Sequence, residues 1–267
     1  MVIVGEKINT SRKSVREAVE KKDALFIRNL ARQQAEGGAD YIDINCGTFV
    51  ENEEDFITWL VEEVQDEIKL PLCIDSPNPL ALEAGLKANR NGQAMINSIS
   101  GEKKRYEAVA PLVQKFGCKV VVLCMDDESG IPPDAKTRVD IAVRVIEGLK
   151  EMGTKDDDIY IDPLIQPVST ATANAFNAVE TIRMIKNDYP EINTICGLSN
   201  ISYGLPERKL LNQTFAVLCI AAGLDCVILD PNDKRLMSMV TAANVLLDKD
   251  PFCGRYIKAY RQGLFNL

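Results

Sequence analysis

A turn-rich segment near residue 200 contains polar residues that could take part in chemistry. The segment TICGLSNISYGLPER runs from Thr194 to Arg208, and a short apolar stretch leads into Gly197, Ser199 and Asn200. Strand ends that do chemistry usually carry an acid, a histidine or a nucleophile, but here the tip is a neutral amide. Because an amide both donates and accepts hydrogen bonds, it suits a reaction in which the charge on a nearby atom changes.

Polar residues end the other apolar stretches of the chain as well. Asp43, Asp75, Asn97 and Asp162 each follow an isoleucine within an apolar run. A charged group there is costly to desolvate unless it has hydrogen-bond donors. Capping of a helix or closure of a turn is the competing explanation for any one of them. The full set is Glu6, Asn9, Asp43, Asn45, Asp75, Ser76, Asn97, Ser98, Asp126, Asp162, Ser199, Asn200, Asp230 and Asn232.

This set predicts a binding surface made of carboxylates and amides. Lysine and arginine are nearly absent from it, so we expect little cationic character. Carboxylates gathered on one rim favour a ligand rich in N–H donors. An aminopyrimidinone ring has this character, because its exocyclic amine and ring N–H groups donate to aspartate and it also presents acceptors to asparagine.

Eight short segments rich in valine, isoleucine and leucine would position these polar residues. Near-continuous apolar runs of this kind are typical of buried parallel strands. Amphipathic helical stretches separate them, as in DFITWLVEEVQDEI, where Phe56, Leu60, Val64 and Ile68 recur every four residues. The strand segments begin at Val2, Tyr41, Pro71, Ala94, Lys119, Ile159, Thr194 and Cys226.

The alternation of strands and helices predicts an α/β fold, a (β/α)8 TIM barrel, as a single domain over residues 1–267. In such a barrel the chemistry lies at the C-terminal ends of the strands. A doubly wound open sheet is the alternative architecture. Its GxGxxG turn is missing after the first strand, and no P-loop occurs.

Composition excludes several classes of function. The net charge of −8 does not favour nucleic acid or an anionic membrane as a partner. The chain has no histidine, which excludes a Ser–His or Cys–His pair and any histidine-ligated metal. Its eight cysteines form no CxxC pair, so we expect buried reduced thiols in a cytoplasmic protein. The start, MVIVGEKINTSRKS, lacks the pattern of a signal peptide, and no apolar run approaches the roughly 20 residues of a membrane span.

Five motifs together resemble a known family. IDIN, CIDS, MINS, YIDPL and GLSNIS, in this order along the chain, are similar to the motifs of the pterin-binding barrel family. The sequence looks most like the methyltetrahydrofolate:corrinoid protein methyltransferases, and the folate module of cobalamin-dependent methionine synthase is similar. Each motif alone is weak, but the likeness spans Val2 to about Tyr260.

The resemblance implies a role for particular residues. Asp75, Asn97 and Asp162 would hold the pterin ring. Asn200 would reach the N5 position as the main catalytic residue, and Asp43 would join its network through water. The remaining residues of the folate site would be Gly197, Ser199, Ser202, Arg208 and Ile228.

The resemblance also implies a reaction, in which a methyl group moves between N5 of tetrahydrofolate and the cobalt of a corrinoid. Folate is then a substrate, cobalamin is supplied by a partner corrinoid protein, no bound metal is expected, and the chain is a homodimer. An amide beside N5 would lower the barrier through hydrogen bonds that strengthen in the transition state. The segments YIDPLIQPVSTATANA and SYGLPER differ from the acetogenic type and favour transfer from methylcobamide to tetrahydrofolate in a demethylation pathway, for example of glycine betaine or a methyl ether.

Other functions remain as alternatives at this point. The acetogenic direction, from methyltetrahydrofolate to a corrinoid iron–sulfur protein, uses the same residues. A non-catalytic folate-binding subunit of a corrinoid complex needs only the pterin site. Dihydropteroate synthase shares the barrel but is expected to have a basic, histidine-bearing ending, which this chain lacks. A metal-dependent barrel hydrolase would need all-oxygen ligands suited to Mg²⁺ or Ca²⁺.

Overall fold

Eight parallel strands close into a barrel in the computed structural model, which describes residues 1–266. Each strand pairs with its neighbours in chain order, and β1 closes on β8. The predicted (β/α)8 barrel is therefore confirmed, and the open-sheet alternative is wrong. The strands are β1 (Val2–Asn9), β2 (Tyr41–Asn45), β3 (Leu72–Asp75), β4 (Met95–Ser100), β5 (Lys119–Leu123), β6 (Ile159–Asp162), β7 (Asn193–Gly197) and β8 (Cys226–Leu229).

Helices connect successive strands and cover the outside of the barrel. They are α1 (Lys13–Glu20), α2 (Ala24–Glu36), α3 (Glu53–Glu67), α4 (Pro79–Ala88), α5 (Lys103–Phe116), α6 (Ala135–Glu151), α7 (Asn174–Asp188), α8 (Arg208–Ala222), α9 (Lys234–Leu246) and α10 (Gly254–Arg261). The helix α5 ends at Gly117, which has φ of 56°, a conformation that glycine adopts without steric cost. Two helices lie between β1 and β2, and α10 follows the eighth repeat.

The barrel interior is filled by alternate residues of the strands. An apolar cluster inside it contains Val4, Cys73, Met95, Val121, Tyr160, Ile195 and Cys226. Side chains two residues apart on a strand point to the same face. Asp75, Asn97 and Asp162 each lie two residues after a member of this cluster, so they point inward at the C-terminal end of the barrel.

The strand register places polar residues side by side on this inner surface. Asn45 of β2 pairs with Asp75 of β3, which pairs with Asn97 of β4. Asp43 pairs one step lower, with Cys73. Asn45, Asp75 and Asn97 therefore form one layer at the mouth of the barrel, and Asp43 lies beneath them at its floor.

A register shift between Gly5 and Ile8 interrupts the pairing of β1 with β2. The amide of Lys7, freed from the strand ladder, donates to Oε1 of Gln34 over 2.8 Å. Gln34 is completely buried, and a Cβ at Gly5 would lie 2.6 Å from its Oε1. The close approach therefore requires glycine, and the bulge carries Glu6 and Lys7 to the mouth of the barrel.

All eight cysteines are free thiols, and seven are buried as predicted; Cys253, in the segment before α10, is exposed instead. Across residues 1–266, none of the helices has the length and apolar character that crossing a membrane requires.

Candidate active site

Three of the predicted site residues gather where β2, β3 and β4 meet. Asp43 is 3% exposed, and its side chain contacts the Cys73 thiol and the Asn97 amide. Its Oδ1 has no hydrogen-bond partner within residues 1–266. Asp75 lies beside it, one layer nearer the mouth. The structure thus brings the predicted residues Asp43, Asp75 and Asn97 together.

Burial raises the pKa of both carboxyls. The pKa of Asp43 is well above its usual range because the group is desolvated and because Asp75 is a like charge nearby, while Cys73 and Asn97 oppose the shift. The pKa of Asp75 rises to about 6, mainly through burial; a hydrogen bond from Asn45 and the charge of Arg105 hold it down. Burial and the neighbouring carboxyl therefore both favour the protonated form of Asp43.

Asp162 lies at the end of β6, farther round the barrel. Burial raises its pKa to about 7, opposed by a hydrogen bond from the amide of Leu164 and by the charge of Arg138. That amide donates to Oδ1 of Asp162 over 2.7 Å. Oδ2 has no protein donor in the described residues, so it remains available to a ligand.

Gly197 and Ile228 form the wall opposite β3, where β7 and β8 pair. A Cβ at Gly197 would meet no heavy atom within 4 Å. The glycine thus leaves open space inside the mouth, and Ile228 presents a partly exposed apolar surface at the same level. A flat ring fits against such a wall.

Asn200 lies in a single turn of 3-10 helix, Leu198–Ser202, that follows β7. Its side chain is exposed and makes no hydrogen bond within residues 1–266, and its backbone carbonyl accepts from the amide of Tyr203. The amide is therefore free to turn toward a ligand over the mouth.

Ser202 and Arg208 are joined to the same turn. The buried Oγ of Ser202 accepts from Nε of Arg208 over 3.1 Å, and Nη2 of Arg208 donates to the carbonyl of Ser199 over 2.6 Å. Ser202 therefore acts on the loop through Arg208. The guanidinium, 5.9 Å from the Tyr203 ring centroid, remains exposed at the rim.

The expectation of little cationic character is wrong. Nζ of Lys7 lies 2.5 Å from Oδ2 of Asp230, and Nη2 of Arg12 lies 3.1 Å from Oε1 of Glu6. These cations come from the β1 bulge and the segment leading into α1, outside the set of strand-end residues. A cavity of about 410 Å³ between β1, β8 and α8 is lined by Arg12 and Arg208 together with Ser199 and Ile228.

Some polar strand ends have only local structural roles. Oδ1 of Asn9 accepts from the amide of Ser11, and Asp126 closes a turn by accepting from the amide of Ser129. Asp126 also pairs with Arg144 at 2.5 Å. For these residues turn closure, the competing explanation, is correct.

Residues to which the sequence assigned no role in the site support the predicted ones. Nδ2 of Asn45 donates to Oδ2 of Asp75 over 2.8 Å. Glu53, buried at the start of α3, accepts from Oγ of Ser76 over 2.6 Å. Asn45 is among the polar strand ends recognised in the sequence, and its place two residues after Asp43 could have pointed to the site; nothing in the sequence marks Glu53 as buried.

Within residues 1–266, no group of three or more histidine, cysteine, aspartate or glutamate side chains is arranged to hold a metal ion. The acidic residues of the mouth are spread over separate strands and engaged by amides and arginines.

The barrel and its polar mouth define a class of protein. Residues 5–230 match the family model of the pterin binding enzymes, and this chain belongs to that family.

Individual members of this family are similar to the chain over most of its length. The methylcorrinoid:tetrahydrofolate methyltransferase of Eubacterium limosum is 38% identical over 264 residues, which cover 98% of this chain and 97% of that protein. The methionine synthase of Mycobacterium tuberculosis is 30% identical over 93% of this chain, but the match covers only 22% of that longer protein. A Yersinia pestis dihydropteroate synthase structure superposes with a TM-score of 0.70 at 16% identity, over 92% of this chain and 94% of that one. At that identity the likeness shows the fold alone.

Proposed function

We propose that this protein is a methyltransferase that moves a methyl group between N5 of tetrahydrofolate and the cobalt of a corrinoid carried by a partner protein. The observation that carries the proposal is the inward layer of Asp75 and Asn97 with Asp162 farther round the mouth, in a chain similar over nearly its full length to the Eubacterium limosum enzyme. Fold and relative together favour transferase chemistry over the other functions considered from the sequence.

In this proposal the pterin ring is held by hydrogen bonds from its N–H groups to carboxylates. Asp75 presents Oδ1, since its Oδ2 is taken by Asn45, and Asp162 presents Oδ2. Asn97 supplies an amide between them. The ring lies against Gly197 and Ile228, and this fixed orientation brings N5 toward the rim, where alignment lowers the barrier.

The chemistry at N5 breaks or forms one N–C bond. When methyl leaves N5, the bonding electron pair stays on nitrogen, and the methyl carbon bonds to cobalt; the reverse transfer leaves N5 with the methyl. Asn200 stands exposed at the rim and can donate to or accept from N5 as its charge changes. Asp43, whose pKa is raised by burial and by the charge of Asp75, can exchange a proton with N5 through water.

The direction favoured is from a methylated corrinoid to tetrahydrofolate, in a demethylation pathway whose methyl donor is an amine such as glycine betaine or an aromatic methyl ether. The name of the Eubacterium limosum relative, methylcorrinoid:tetrahydrofolate methyltransferase, supports this order of substrates. The residues at the mouth serve both directions equally, because the same N5 geometry is used by the forward and reverse transfers.

The partner is proposed to dock over the mouth, since the corrin ring must reach N5. We also propose a cytoplasmic homodimer. The outer face of α8 supports the dimer: Leu210 is 62% exposed, Leu218 is 51% exposed, and Val217 lies beside them. These residues recur along one side of the helix and form an apolar stripe that a second copy could cover.

Methyl transfer is tested by mixing the protein with tetrahydrofolate and methylcobalamin. We expect loss of the methyl–cobalt absorbance together with formation of 5-methyltetrahydrofolate. Asp75→Asn and Asn97→Ala should each lose both signals, whereas the remote surface variant Asn187→Ala should keep them. Folate binding without any methyl transfer, with several corrinoid proteins as donors, would instead establish a non-catalytic folate-binding subunit.

A further inference from the structure

Arg105, in the first turn of α5, reaches back to the loop after β3. Its Nη2 donates to the carbonyl of Ser76 over 2.8 Å, and its Nη1 donates to the carbonyl of Pro77 over 2.5 Å. Its Nε donates to the carbonyl of Ser98, at the end of β4, over 2.9 Å. The two carbonyls of the loop belong to the residues that directly follow Asp75.

Arg138, in the first turn of α6, makes the same kind of contact with the loop after β6. Its Nη1 donates to the carbonyls of Pro163, over 2.8 Å, and Leu164, over 3.3 Å. These residues directly follow Asp162. Its Nε donates to the carbonyl of Pro132 over 2.8 Å, and the side chain is completely buried.

From this repeated arrangement, and resting on the proposed function, we infer that Arg105 and Arg138 are positioning residues for the pterin site. Each guanidinium holds the two carbonyls that follow a pterin-binding aspartate and thereby fixes where that carboxylate points. A planar guanidinium presents several donors in a fixed fork, so it can hold adjacent carbonyls at once. A lysine ammonium has the charge without that geometry.

The backbone at Leu164 supports this role. Leu164 has φ of 60°, in the left-handed region that leucine rarely adopts. Its carbonyl accepts from Arg138 and its amide donates to Asp162, so both sides of the residue are fixed. The contacts offset the steric cost of a conformation that aims the Asp162 carboxylate into the mouth.

The positive charges also favour the ionised carboxylates that a pterin needs. Asp75 faces Asp43 of β2, Glu53 of α3 and Arg105 of α5, so Arg105 is the cation that opposes two acids. Asp162 faces Arg138 of α6, along with the thiols of Cys124 and Cys196. Removal of either arginine should therefore raise the pH at which the neighbouring carboxyl titrates.

The test compares Arg105→Lys with Arg105→Gln in calorimetric titrations with tetrahydrofolate over a range of pH. Both variants lose the fork, so we expect affinity at alkaline pH to fall about tenfold. Only Arg105→Gln loses the charge. Only in that variant, therefore, should the pH at which tetrahydrofolate affinity falls to half its alkaline value move upward. Arg183→Gln, which removes an exposed arginine of α7, serves as the control.

A second comparison uses Leu164→Gly, since glycine adopts a φ of 60° freely. Arg138→Lys alone should weaken folate binding, and the loss should be smaller when Leu164→Gly is also present. Wild-type affinity and an unmoved midpoint in Arg105→Gln would overturn the inference while leaving the proposed function intact. Failure of the wild-type protein to bind tetrahydrofolate would instead reject the proposed function.

Discussion

Nδ2 of Asn45 donates to Oδ2 of Asp75 over 2.8 Å, so one oxygen of the carboxylate is occupied before any ligand arrives. Oδ1 of Asn45 in turn accepts from the amide of Gly47 over 3.1 Å, which sets the orientation of the side-chain amide. The pair turns Asp75 from a freely rotating carboxylate into one with a single oxygen directed at the mouth.

Replacement of Asn45 by alanine should therefore weaken binding without altering the fold. A hydrogen bond to a charged group contributes about 1.5–3 kcal/mol, so we expect tetrahydrofolate affinity to fall roughly 10- to 100-fold in Asn45→Ala. The measurement is a calorimetric titration, with circular dichroism to verify the fold. Affinity equal to that of the wild type would show that Asp75 needs no such support.

Pterin binding should weaken as the pH falls. The pKa of Asp162 is about 7 and that of Asp75 is about 6 in the free protein, and protonation removes the negative charge and turns one acceptor oxygen into an O–H donor. Affinity should therefore be constant above about pH 8 and decline in two steps through about pH 7 and pH 6. Asp162→Asn should remove the upper step and leave the lower one. A flat profile from about pH 5 to pH 9 would contradict the assignment of both carboxylates.

Gly197 offers a way to block the site while leaving the barrel intact. A Cβ there meets no protein atom within 4 Å, and its φ of −84° suits any residue. We expect Gly197→Val to keep the wild-type melting temperature and to lose most tetrahydrofolate affinity, because the added methyl groups enter the space for the ring. Gly254→Ala is the control. It too places a side chain in open space, but at the start of α10. Unimpaired binding by Gly197→Val would place the ring elsewhere.

The inner layer of the site could be predicted from the sequence because period-two alternation fixes which strand residues point inward. Asp75, Asn97 and Asp162 each end a near-continuous apolar run, so both their residue types and their inward direction could be read from the sequence. The hydrogen bond between Asn45 and Asp75 could not be predicted, because it depends on the register between two strands separated by a helix.

Long-range contacts explain what the sequence prediction missed. Arg105 and Arg138 occupy helices whose patterning is that of ordinary amphipathic segments, and a cation there is usually solvated. Their acceptors are carbonyls about one βα unit away in the chain, and a backbone carbonyl carries no residue-type signal. The cations at the mouth were missed for a related reason, since Arg12 and Lys7 lie outside the residues at the very ends of the strands.

Asp43 should make the protein less stable as the pH rises. Its pKa is raised well above 3.8 in the folded state, so the folded protein retains a proton that the unfolded chain releases. The stabilisation is fully present below the unfolded pKa and is lost as the pH rises toward the folded one. In Asp43→Asn, the free energy of unfolding should depend less on pH and exceed the wild-type value at alkaline pH, as measured by urea denaturation. A steeper pH dependence in the variant would indicate that Asp43 is ionised in the fold.

Asn200 provides the sharpest test of the proposed chemistry. Its side chain makes no hydrogen bond within residues 1–266 and is exposed, so Asn200→Ala should leave the melting temperature unchanged. Loss of one donor that acts in the transition state should slow methyl transfer by roughly 10- to 1000-fold. Tetrahydrofolate affinity should fall less than the rate, because the ring remains held by Asp75, Asn97 and Asp162. Single-turnover measurements of methylcobalamin loss separate the two effects. Asn187→Ala is the control, since it removes an exposed amide near the C-terminal end of α7. A rate unchanged in Asn200→Ala would remove this amide from the mechanism and leave Asp43 as the residue that acts on N5.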